Sequence, residues 1–204
     1  MSLLGIIEGL AAAEVRFVLV GGLAARAHGV ERVTDDVDIC YDTGIFNERA
    51  LVKLLQSWQA YPRDAASGLP YKLTRARLHE RDTIRLQTVH GYIDIMREVP
   101  GVGPYRDVVA HADTMRLASG QAIPLISLDK LIRAKEVANR GKDHEVLHAL
   151  RALRAARRLA ELGLSVEDGA SDGVLGEESD VSRSSERPDD EPPAPNARKR
   201  GRKR

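Results

Sequence analysis

The sequence predicts a mixed α/β domain, and three observations carry that expectation. The apolar run Val18-Leu19-Val20 leads into Gly21-Gly22, then an Ala-rich stretch, then a second apolar run that opens at Asp36. Further on, residues 83–89 and 92–96 alternate like the arms of a hairpin around His90-Gly91. The segment from Ser127 to near Leu162 repeats its apolar residues at helical spacing. A chain of 204 residues is long enough for one such domain with a sizeable core.

Taken in order, Leu3, Ile6, Ile7 and Leu10 space out a short amphipathic helix over 3–13. Residues 16–20 form a buried strand that turns at Gly21-Gly22, and 23–28 a short helix with Gly29 as its C-cap. Residues 31–35 connect to a strand over 36–41. Asn47 is the expected N-cap of a helix over 48–58, whose apolar face is Leu51, Leu54, Leu55 and Trp58. Residues 59–77, with Pro62, Gly68 and Pro70, read as a long loop. After the hairpin, Pro100, Gly101, Gly103 and Pro104 break the chain, and a short helix over 105–111 follows. Residues 115–117 and 121–126 read as short edge strands. Ser127 is expected to cap a helix over 128–139. Gly141 interrupts it, and a last helix runs from Asp143 with Val146, Leu147, Leu150, Leu153 and Leu159 as its stripe. From 165 to 204 apolar residues nearly vanish. Such a segment buries too little surface to offset its ordering entropy, so a disordered tail is expected.

The net charge of +1 points neither toward nor away from nucleic acid. The basic run over 197–204 is either a solvated tail or an electrostatic contact for RNA. A single cysteine, Cys40, excludes an internal disulfide and fits a reducing cytoplasm. The apolar N-terminus lacks a basic region and carries Glu8, which makes a poor signal peptide. No apolar run approaches the roughly 18 residues of a membrane helix, so no membrane partner is expected.

The chemistry gathers in the strand over 36–41. Alternation puts Asp36, Asp38 and Cys40 on one face and Val37, Ile39 and Tyr41 on the other. Two carboxylates so placed repel unless a cation lies between them, and oxygen ligands at that spacing suit Mg²⁺. Gly21-Gly22 at a helix start can offer backbone N–H groups to phosphate. Together they indicate a site for a metal-bound nucleoside triphosphate (NTP). Asp94, an acid within an apolar strand, is the candidate third ligand and aid to deprotonation. The run Gly21 to Gly29 lacks the G-x-G-x-x-G of dinucleotide folds. Lys135 and Arg140, with Lys142 close by, could meet the triphosphate tail or form a solvated basic face. Asp143 could orient one of them or cap the last helix. Arg32 is a candidate phosphate contact, because its loop feeds the acid pair. His28, His90, His148 and Cys40 read as structural or surface residues.

The run Gly21-Gly22, Ala25, His28-Gly29, Arg32, Thr34, Asp36 and Asp38 resembles the nucleotidyltransferase superfamily. Ser127 to Lys135, with Arg140 and Lys142-Asp143, is similar to the C-terminal signature of its AbiEii-type branch, which includes toxin–antitoxin and phage-defence proteins. The resemblance spans residues 3–162. It implies a nucleotidyltransferase fold: a small mixed sheet flanked by helices, with a catalytic core over 1–126 and a helical part over 127–164. It implies Mg²⁺-dependent transfer of a nucleoside monophosphate, with two ions on Asp36, Asp38 and Asp94. Gly21, Gly22, Arg32, Thr34, Lys135 and Arg140 would contact nucleotide, and Lys135 and Asp143 would complete the catalytic set. Acceptors compatible with it are a tRNA 3′ end, a hydroxyl on a partner protein such as a cognate toxin or antitoxin, and a small molecule. A non-catalytic antitoxin or scaffold is the alternative. Gly22 stands where many members carry serine, and Val146 where an acid often follows the Lys-Asp pair.

Overall fold

A central pair of parallel strands, β2 (Asp36–Tyr41) and β5 (Gly91–Met96), sets the geometry of the molecule. The computed structural model describes residues 3–65, 70–139 and 141–164, apart from the side chain of Lys142. Gly68, Arg140 and the expected tail over 165–204, with its basic run, lie outside the described residues.

The seven-stranded mixed sheet has the order β3-β4-β5-β2-β1-β9-β8. Besides β2 and β5 it contains β1 (Phe17–Val20), β3 (Tyr61–Pro62), β4 (Thr83–Thr88), β8 (Asp113–Arg116) and β9 (Ala122–Leu125). Strand β1 pairs antiparallel with β2 and parallel with β9, while β4 pairs antiparallel with β5. Every residue of β1 is buried, as suits a strand inside a sheet covered on both faces. In β2 the face of Asp36 and Asp38 carries the acids, with Cys40 buried at its end, and Val37, Ile39 and Tyr41 on the other face pack in the core. Helix α1 (Leu3–Ala12) buries Ile6, Ile7 and Leu10 and packs across β2 and β5. Helix α2 (Gly21–His28) follows β1 directly and ends at Gly29 with φ 110°, the expected left-handed cap. Helix α3 is Ile45–Ser57. A two-strand hairpin, β6 (Glu98–Val99) and β7 (Gly103–Pro104), leads into α4 (Tyr105–Val109). Helices α5 (Leu128–Ala138) and α6 (His144–Glu161) pack on each other, with Leu131, Ile132, Val146 and Leu150 buried.

Several expectations need correction. Asn47 is not an N-cap: α3 starts at Ile45, so Asn47 sits in its first turn. Its amide accepts from the Arg16 N–H (2.6 Å) and donates to the Arg16 and Asp42 carbonyls (3.0 and 2.7 Å). It ties the start of β1 to the end of β2, while Asp42 Oδ1 receives the Gly44 N–H at the helix entrance. Residues 59–77 are not all loop, since β3 adds to the sheet edge and a 3₁₀ turn forms at Ala76–His79. Strand β9 is interior, lying between β1 and β8, because its parallel pairing to β1 fills that edge. Ser127 occupies the N-cap position of α5 without a side-chain capping bond.

Candidate active site

Register brings the acids together. In the parallel β2–β5 pair, Asp38 lies directly across from Asp94 and Asp36 across from Tyr92. Directly paired residues project to the same face of a sheet. One carboxylate oxygen from each of Asp36, Asp38 and Asp94 therefore falls within 4.8 Å of the other two.

The diglycine closes over this cluster from β1. Gly21 has φ 67°, a left-handed conformation that favours glycine. A Cβ on Gly21 would lie 1.9 Å from Asp38 Oδ2, so the acid itself demands a glycine there. The Gly22 N–H donates to Asp38 Oδ2 (3.3 Å) at the first turn of α2. A Cβ on Gly22 would meet Thr34 Oγ1 at 2.7 Å. Thr34 fills the space a serine side chain would need, and its hydroxyl donates to Asp36 Oδ1 (2.8 Å).

Burial, then the charges of Asp36 and Asp94, push the Asp38 carboxyl up from 3.8 to about 7, against the opposing Gly22 N–H and Lys135. Burial also raises Asp94, against the pull of Arg63. Three crowded acids whose repulsion is only partly relieved form a hard oxygen donor set, and that set fits Mg²⁺.

The helical part supplies a cation. Lys135, in the last turn of α5, is 9% exposed and donates to Asp143 Oδ1 at 2.8 Å. Asp143 makes no side-chain cap on α6, so of its two expected roles the geometry shows the orienting one. The acids, the glycines, Arg32, Thr34, Lys135 and Asp143 all line one pocket of about 250 Å³. Val99, Pro100, Leu131 and Ala134 give the same pocket an apolar wall. Val146, where an acid was noted as missing, is buried in the core. His28 is structural: its Nε2 bonds the Ile126 carbonyl at 2.8 Å. Cys40 is buried, with its Sγ 3.6 Å from the Arg97 carbonyl.

Two residues in the pocket escaped the sequence reading. The guanidinium of Arg63 contacts Asp94 Oδ1 directly and lies 3.8 Å from Asp36 Oδ2. Arg85 Nε lies 3.8 Å from Asp94 Oδ2. Arg85 was findable, since its strand pairs antiparallel beside Asp94. Arg63 was hidden in a segment with no strand pattern.

No family model matches the chain, and no curated protein does either. Among solved structures, the chain is similar to the lincosamide antibiotic adenylyltransferase LnuA bound to lincomycin. The identity is 15% over 74% of this chain and 95% of that one, with a TM-score of 0.51. Two structures of the antibiotic-resistance factor ANT(2'')-Ia, one in solution and one with adenylyl-2''-tobramycin, align at 16% identity. They cover 78% of this chain and 93% and 98% of theirs, with TM-scores of 0.42, too loose a fit to add to the first. The likeness to LnuA shows the fold: this is a nucleotidyltransferase fold.

Proposed function

We propose that this protein is a Mg²⁺-dependent nucleotidyltransferase that moves a nucleoside monophosphate from an NTP to an acceptor hydroxyl. The observation that carries this reading is the convergence of Asp36, Asp38 and Asp94 beside Gly21-Gly22 on that fold. The acceptor oxygen attacks the α-phosphorus in line, the bond to the bridging oxygen breaks, and pyrophosphate leaves. Mg²⁺ on the three acids, as one or two ions, would supply Lewis-acid polarisation and charge neutralisation. Asp94, directly across from Asp38 in the sheet, takes the proton of the attacking hydroxyl. Gly21 and Gly22 at the start of α2, with Arg32 and Thr34 at the pocket wall, hold the phosphates. Lys135, fixed by Asp143, offsets charge developing on the leaving group. Arg140, outside the described residues, is a further candidate for that duty.

Three acceptors fit: an RNA 3′ end such as tRNA, a hydroxyl on a partner protein, and a small molecule. The resemblance to AbiEii-type proteins favours the first two, in a toxin–antitoxin or phage-defence setting in the cytoplasm. The basic run over 197–204 would add salt-dependent attraction to RNA. Incubation with each α-³²P-NTP, Mg²⁺ and either total RNA or lysate separates them. Labelled RNA supports a toxin acting on RNA, and labelled protein supports a modifying antitoxin. The absence of label with every NTP and acceptor would replace the enzyme with a non-catalytic scaffold.

A further inference from the structure

Arg63 sits where a metal ligand set would want a cation. Its backbone N–H is fixed to the Arg85 carbonyl (3.0 Å) at the edge of the sheet, so only side-chain torsions are free to move the guanidinium. That guanidinium contacts Asp94, lies 3.8 Å from Asp36 and stacks over the Tyr92 ring with its carbon 5.0 Å from the centroid. The fit is incomplete. Among the described residues, Arg63 Nε is buried with no hydrogen-bond partner, which a guanidinium built into a permanent bidentate pair would not tolerate cheaply. What holds it is the negative charge of the acids. A divalent ion on the same carboxylates replaces that attraction with repulsion at close range.

We propose that Arg63 is an exchangeable placeholder for the catalytic cation. It neutralises Asp36 and Asp94 while the centre lacks metal, and moves to the triphosphate when metal and nucleotide enter. This rests on the reading of the three acids as a cation site. The destination follows from the pocket, which Arg63 shares with Gly21, Gly22 and Lys135, and from the match of a planar guanidinium to phosphate oxygens. While it contacts Asp94, Arg63 also occupies the carboxylate that would accept the acceptor's proton, so the free enzyme is held unreactive. Arg85, farther from Asp94 and half exposed, serves as the internal control.

The test is a Mn²⁺ titration without nucleotide, followed by the electron paramagnetic resonance of free Mn²⁺. Arg63→Gln is expected to bind Mn²⁺ about tenfold tighter than wild type, the scale of one lost charge competitor. Arg63→Lys should stay near wild type, Arg85→Gln should tighten binding far less than Arg63→Gln because its half-exposed charge is screened by solvent, and Asp38→Asn should lose the ion. Inorganic tripolyphosphate with Mg²⁺ should bind Arg63→Gln about tenfold more weakly. Unchanged or weaker Mn²⁺ binding by Arg63→Gln, with Asp38→Asn still losing the ion, would overturn the placeholder and leave the metal centre standing. Unchanged tripolyphosphate affinity would overturn the transfer to phosphate. No Mn²⁺ binding by any form would overturn both the placeholder and the cation site. If Arg63→Gln fails to fold, the ¹⁵Nε signal of Arg63 in the wild-type protein reads the same event: it should shift on adding Mg²⁺, and a fixed signal contradicts the exchange.

Discussion

At Gly21 a single atom decides the site. An added Cβ would strike Asp38 Oδ2 at 1.9 Å, and the φ of 67° alone costs a non-glycine residue about 1–2 kcal/mol. Gly21→Ala is therefore expected to lower thermal stability and to displace Asp38, so Mn²⁺ affinity falls with it. Asp38 makes a second prediction, about pH. Its carboxyl is raised from 3.8 to about 7, so between those values the folded chain keeps a proton that the unfolded chain has released. Stability contributed by that proton is complete below 3.8 and is lost as pH rises through about 7. Without metal, the melting temperature should fall across that window, and Asp38→Asn should flatten the slope. Metal binding runs the other way, strengthening as Asp38 ionises.

Elements position what residues perform. The Lys135–Asp143 pair joins α5 to the turn before α6 with both side chains about a tenth exposed or less. Lys135→Ala removes the ammonium that donates to the buried Asp143 carboxylate, and is expected to cost about 1–3 kcal/mol by chemical denaturation. The double variant Lys135→Met/Asp143→Leu should recover most of that stability while remaining catalytically impaired. This part of the design was legible in the sequence because it obeys short periods. The period of two in β2 announces the acids, the helical spacing of α5 places Lys135, and the Gly29 cap ends α2 where expected. What escaped depends on partners distant in sequence. Asn47 looks like a cap locally, yet serves the backbone of Arg16, 31 residues away. Strand β9 looks like an edge until its parallel partner β1 is known. Arg63 lies 31 residues from Asp94, just past a strand only two residues long, below what alternation can reveal.

For the whole molecule, the chain builds its pocket where the sheet meets the C-terminal helices. Acids come from the central strands, the diglycine backbone from the start of α2, and a buried cation from α5. A ligand that bridges these elements stabilises all of them by mass action. Mg²⁺ with the correct NTP should therefore raise the melting temperature beyond either alone. The most direct measurement compares wild type with Asp38→Ala, each shown folded by circular dichroism, for Mg²⁺-dependent release of pyrophosphate from an α-³²P-NTP with the label becoming attached to an acceptor. Wild type should release pyrophosphate and transfer label in step, and Asp38→Ala should do neither. Transfer by Asp38→Ala at the wild-type rate would contradict the assignment of these three aspartates as the reacting centre.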